Sequence, residues 1–180
     1  MSWHRTGSNF LMTNLGHFNK MDLLASHNVL DIPEGYQGIT IARNPIDSIA
    51  SAICNDNNPE VQHDGYNVLH MVKMYYDFHL EVLALKHNTI IDFNDLTRRP
   101  KETIEELLKN TNSNLKDYYE DISVDNRYLK YKASSREDND YYNVVAELRK
   151  AELSGCNRAY AEMLRRAMFV PGEVAVSATE

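Results

Sequence analysis

The order of apolar and polar positions divides the chain into short strand-like runs and longer helix-like stretches. Gly38–Ala42 (GITIA) is compact and rich in β-branched residues, the pattern of a strand buried on both faces of a parallel sheet. Thr89–Phe93 (TIIDF) is a second run of this kind, and Met1–His4 and Met21–Ser26 are shorter strand candidates. Helical spacing takes over between them. Phe10, Leu11, Leu15 and Phe18 share one face over Phe10–Phe18, and Leu69, Val72, Tyr76, Leu80 and Leu83 do so over Tyr66–Lys86. Asn44 followed by Pro45, with Asp47 in the first turn, marks the start of a helix running to about Cys54. A polar turn is predicted after Phe93, then a helix from Pro100 to about Lys109. Tyr141–Met168 reads as two helices broken near Ser154-Gly155. Pro33-Glu34-Gly35 and Asn110–Asn114 read as turns, and Asn55–Asp64 and Ser134–Asp140 as polar loops. Strands alternating with helices predict an α/β fold: three layers, a central parallel sheet with helices on both faces.

Composition narrows the class. The 180 residues make one domain of ordinary size, 1–180, in which only the tail 172–180 lacks folding signals. A hydrophobic share of 43% and a charged share of 25% are globular values. The net charge of −7 argues against nucleic acid or an anionic membrane as partner, since either needs a broad basic face. It leaves room for one polyanion held in a local pocket. Cys54 and Cys156 fit no metal pattern and read as reduced thiols of a cytoplasmic protein. No apolar run approaches a membrane span and no signal-peptide pattern is seen. His63, His70, His79 and His87 form no metal-binding motif, so no metal is expected. The tyrosines Tyr75, Tyr76, Tyr118, Tyr119, Tyr141 and Tyr142 fall in helical patterns and read as packing residues.

Two segments carry candidate chemistry. In WHRTGSNFL (Trp3–Leu11) a short strand, a loop of small residues and a helix start follow one another, which is how backbone N–H groups come to cradle a phosphate. Gly7 permits close approach, and Arg5 adds a guanidinium for phosphate or sulfate oxygens. Taken alone, these residues equally describe a turn with a helix cap. The Walker pattern is absent: Ser8 and Asn9 stand where a nucleotide triphosphatase needs Lys and a magnesium-binding hydroxyl. In ITIARNPIDSIAS (Ile39–Ser51), Arg43 sits at the carboxyl end of the strongest strand, where α/β sheets bind ligands. Ser51 lies about two turns into the next helix. A structural ion pair for Arg43 and a solvated Ser51 fit this segment as well.

Together the segments resemble the sulfotransferase family, whose fold is related to the P-loop NTPases and nucleotide kinases. Arg5, Thr6, Gly7, Ser8, Asn9 and Leu11 match its pattern [KR]-[ST]-G-[ST]-[TN]-x-L. Ile41, Arg43, Asn44, Pro45, Asp47 and Ser51 match [IV]-x-R-[ND]-P-x-D-x-x-x-S. Ile90–Ile104 is similar to a third family segment, with Phe93 and Asn94 in place of the commoner Tyr and Glu. The resemblance covers Trp3 to about Leu108. It implies that 3′-phosphoadenosine 5′-phosphosulfate is the sulfuryl donor, that no metal takes part, and that the acceptor is a small molecule or glycan bearing a hydroxyl or amine. It implies that the loop Arg5–Asn9 holds the 5′-phosphosulfate, that Arg43 and Ser51 hold the 3′-phosphate, and that Arg5 stabilises the leaving oxygen. Ser26-His27-Asn28 is similar to the segment that carries the family's base, which makes His27 the candidate base. His17 and Glu34 are the alternatives.

The chain departs from the family in two respects. The stretch between the two phosphate segments is much shorter than in the cytosolic phenol and steroid enzymes, and the R-K-G-x-x-G element is missing. Lys132–Arg136 is the nearest equivalent, with Ser135 and Arg136 as candidate nucleotide contacts or as a solvated loop. Two other functions remain open at this point. One is a P-loop small-metabolite kinase, which would need a Lys-Ser/Thr pair and an acidic magnesium ligand. The other is a protein that binds the bisphosphate without catalysis. The sequence specifies neither the acceptor nor the oligomeric state.

Overall fold

The computed structural model describes residues 11, 12, 15, 29, 32, 34, 36–54, 68–110 and 139–168, with backbone alone at 139 and 140. Strand β1, Gly38–Ala42, has the predicted bounds. It pairs in parallel with β2, Asn88–Asp92, in a register that sets Gly38 opposite Asn88 and Ala42 opposite Asp92. Gly38 lies in a close approach: a Cβ there would come 2.6 Å from Ile32 Cδ1 and 2.9 Å from Asn88 Oδ1, so the ends of both side chains would have to shift to admit one. On its other edge β2 meets the end of the described chain: Ile90 bridges Ala167 in parallel, and Met168 N donates to Ile90 O at 2.8 Å. The described residues therefore form a mixed α/β fold around a small parallel sheet.

Strand pleating sends alternate side chains to opposite faces, and each face has its own core. Ala42 and Ile90 pack with α1 (Pro45–Ile53), α2 (Val68–Ala84), α5 (Asn139–Leu148) and α6 (Ser154–Arg166). Ile41 and Ile91 pack with α3 (Phe93–Arg98), α4 (Pro100–Asn110) and the helical residues Leu11 and Leu15.

The cap of α1 follows the sequence signature. Asn44 Oδ1 accepts from Ile46 N at 3.0 Å and from Asp47 N at 3.4 Å, with Pro45 leading the helix. Asn44→Ala is expected to cost about 1 kcal/mol, lowering the thermal midpoint by about 2–4 °C in calorimetry. An unchanged midpoint would show that solvent replaces the cap at no cost.

Three expectations are corrected. The buried face of α2 is Met71, Tyr75, Phe78, His79 and Val82, whereas Leu69 and Leu80 are 71% and 44% exposed. Both stripes have helical spacing and lie side by side. Contact with the sheet, α1 and α6 selects the one carrying the larger aromatic surface. The turn expected after Phe93 is instead the short helix α3, because Asp92 ends the strand as an N-cap, its Oδ1 accepting from Asn94 N at 2.9 Å. The break between α5 and α6 falls at residues 149–153, before Ser154. Gly155 lies inside the first turn of α6, where a Cβ would come within 3.2 Å of the Tyr76 ring. It serves helix packing rather than chain reversal. Glu34 lies in a turn, as expected.

Candidate functional site

The carboxyl ends of β1 and β2 stand side by side, and polar groups from several elements meet around them. Arg43 follows β1 directly and is only 4% exposed. Its guanidinium carbon lies 4.6 Å from the centre of the Phe93 ring, a cation–π contact with the first residue after β2. The Tyr75 hydroxyl, from α2, donates to the Arg43 carbonyl oxygen at 2.7 Å and fixes the backbone at that point. Burial is the main cause that holds the Tyr75 phenol well above its ordinary pKa.

On the neighbouring strand, Asp92 Oδ1 accepts from Asn94 N at 2.9 Å and from Asn94 Nδ2 at 3.2 Å. Half-burial raises the Asp92 carboxyl above the usual aspartate range, against the lowering effect of these bonds. Asp47 of α1 accepts from the Tyr141 hydroxyl of α5 at 3.2 Å. Tyr160 of α6 lies in the fields of both carboxylates. Burial first, then Asp92 and Asp47, push its phenol up to about 12. It is a protonated hydrogen-bond donor at any physiological pH.

These residues differ in how well the sequence exposed them. Arg43 was legible from its strand-end position. Asp47 lies inside the same motif, where the sequence marks it as a first-turn acid, and Asp92 falls within a strand-like run. Nothing local points to Tyr141 or Tyr160, because helices far along the chain bring them here. Ser51 is half-buried on α1, and its hydroxyl makes no side-chain hydrogen bond among the described residues. At 1.5 Å per residue it lies about 10 Å along the helix axis from the Asn44 cap. One phosphate would therefore have to lie along the start of α1 to engage both Arg43 and Ser51. Arg5, Thr6, Gly7, Ser8, Asn9, His17, His27, Ser135 and Arg136 lie outside the described residues. Of the histidines singled out, His79 is buried and His70 and His87 are exposed. Tyr75 and Tyr141 are buried, Tyr76 is half-buried and Tyr142 is exposed. Cys156 is a buried thiol, raised by burial to about 11, and Cys54 is half-buried; neither forms a disulfide.

Among the described residues no group of three or more His, Cys, Asp or Glu side chains is placed to hold a metal. No described helix is long and apolar enough to cross a membrane. Comparison with known protein families, curated proteins and solved structures finds no match for this chain.

Proposed function

We propose that the chain is a cytoplasmic sulfotransferase that moves a sulfuryl group from 3′-phosphoadenosine 5′-phosphosulfate to a hydroxyl or amine. The observation that carries the reading is the position of Arg43. It is a near-buried guanidinium at the carboxyl end of a parallel strand, one residue before the cap of the following helix. That is where doubly wound α/β proteins take anionic ligands, at the strand ends and against helix N-termini. Packing both faces of the sheet with helices agrees with a three-layer, P-loop NTPase-like architecture, of which the described strands would be neighbours.

In this reading Arg43 and the start of α1 take the 3′-phosphate, with Ser51 further along the helix. The loop Arg5–Asn9 takes the 5′-phosphosulfate. As the acceptor oxygen bonds to sulfur, the bond from sulfur to the 5′-phosphate oxygen breaks. Arg5 then stabilises the charge on that oxygen, and His27 takes the acceptor's proton. Ser135 and Arg136 would close over the nucleotide.

Titration calorimetry in the absence of magnesium tests the site. Adenosine 3′,5′-bisphosphate is expected to bind at least tenfold more tightly than AMP, since AMP leaves the Arg43 position without a phosphate. Equal affinities would remove the second phosphate site, and with it this function.

A further inference from the structure

The backbone that carries Arg43 is held from outside the sheet. The β1–β2 ladder ends with Ala42 opposite Asp92. The first backbone bond of α1 runs from Ser48 N to the Asn44 carbonyl at 2.9 Å. The Arg43 carbonyl falls between the two and belongs to neither. Tyr75 of α2, 32 residues further along the chain, donates its hydroxyl to that carbonyl at 2.7 Å. The ring behind the hydroxyl is fully buried and stacked on His79, with centroids 3.9 Å apart. Burial, the main cause of its raised pKa, keeps the phenol protonated and therefore a donor. A buried hydroxyl costs stability unless it is bonded, and phenylalanine would fill the same space. What the hydroxyl adds to the ring here is a tie to Arg43.

That tie reaches both groups assigned to the 3′-phosphate. A trans peptide is planar, so holding the Arg43 carbonyl also sets Asn44 N–H on the side away from Tyr75. It limits rotation between the Arg43 Cα, which bears the guanidinium, and Asn44, whose side chain caps α1. We propose that Tyr75 is a positioning residue for the nucleotide site: its bond to the Arg43 carbonyl presets the guanidinium against the start of α1 for the 3′-phosphate. The inference rests on the bisphosphate reading of the site. Tyr75 is fully buried and acts only through Arg43, without touching the nucleotide.

The test compares adenosine 3′,5′-bisphosphate with AMP in titration calorimetry. Tyr75→Phe keeps the ring and withdraws the hydroxyl. It is expected to weaken bisphosphate binding about three- to tenfold, the cost of ordering a group that is no longer preset, and to leave AMP within about twofold. A merely structural role would not change the ratio of the two affinities. Val82→Ala, a core truncation elsewhere on α2, should leave that ratio as in wild type. In an Arg43→Ala background Tyr75→Phe should change bisphosphate binding by less than about twofold, because the residue through which it acts is gone. All proteins are measured in trimethylamine N-oxide, which favours the folded state. Wild-type protein that binds the two nucleotides equally, or binds neither, removes the site reading itself, and the inference falls with it. Wild-type preference retained in folded Tyr75→Phe overturns the positioning role and leaves the bisphosphate site intact. Equal narrowing by Val82→Ala overturns it too, as does an undiminished effect of Tyr75→Phe without Arg43. A Tyr75→Phe protein that does not fold even in the osmolyte makes the hydroxyl a requirement of the whole fold, which overturns a role confined to the site.

Discussion

Replacing Arg43 by alanine is expected to weaken adenosine 3′,5′-bisphosphate binding roughly 10- to 150-fold, because a charge-assisted hydrogen bond contributes about 1.5–3 kcal/mol. AMP should lose little, since it carries no phosphate for this position, so the two affinities should converge in the variant. The buried setting strengthens the expectation. With 4% exposure and its guanidinium against Phe93, the side chain does not have to be ordered when the ligand arrives. The same setting complicates alanine, which removes packing from the Phe93 ring as well as charge. Arg43→Lys separates the two effects. It keeps the cation but loses the planar fork and the stacked face, and should bind at an intermediate level. Thermal unfolding of both variants shows whether the fold survives. If folded Arg43→Ala binds the bisphosphate as wild type does, the 3′-phosphate is held elsewhere.

Acid should destabilise the protein through His79, and His79→Phe should remove that part of the effect. The His79 ring is fully buried, stacked on Tyr75 with ring centroids 3.9 Å apart, and its Nδ1 lies 2.7 Å from the Tyr75 carbonyl oxygen. Burial lowers its pKa from 6.5 to about 4, against the opposing pull of that carbonyl. The folded state thus resists protonation in a range where the unfolded chain accepts it. Between these values the unfolded state holds more protons, so falling pH favours unfolding. The stability linked to His79 is complete above pH 6.5 and is lost as pH falls toward 4. Its size is on the order of 3 kcal/mol, at about 1.4 kcal/mol per pKa unit. Phenylalanine keeps the ring stack and cannot take a proton. Denaturant unfolding of both proteins at pH 7, 5.5 and 4.5 should show a steeper loss for wild type. Parallel curves would mean that the ring reaches water before it is protonated.

How much of this was readable in the chain depended on how far each signal reaches. β1 carries its own evidence in five consecutive residues, and the cap of α1 in the adjacent Asn44 and Pro45, so both stand where the sequence places them. The buried stripe of α2 did not, because two neighbouring stripes satisfy the same periodicity. A helix in isolation gives no reason to prefer Tyr75 and Phe78 to Leu69 and Leu80. Ser154-Gly155 looked like a break because small flexible residues usually interrupt helices. Whether a glycine ends a helix or lets it pack closely depends on what lies opposite, here the ring of Tyr76.

The candidate site divides along the same line. The sequence by itself determined a strand followed directly by Arg43 and a capped helix after it, both of which depend on residues adjacent in the chain, and the phosphate chemistry proposed for that junction was suggested by the same short stretch. Only the tertiary structure decided that Asp92 stands opposite Ala42, that Phe93 lies under the guanidinium and that Tyr75 holds the Arg43 backbone. It also decided that Tyr141 and Tyr160 reach Asp47 and Asp92 from the last two helices. Those contacts depend on strand register and helix packing, which are set by the mutual fit of buried faces, and no short stretch of sequence contains both partners.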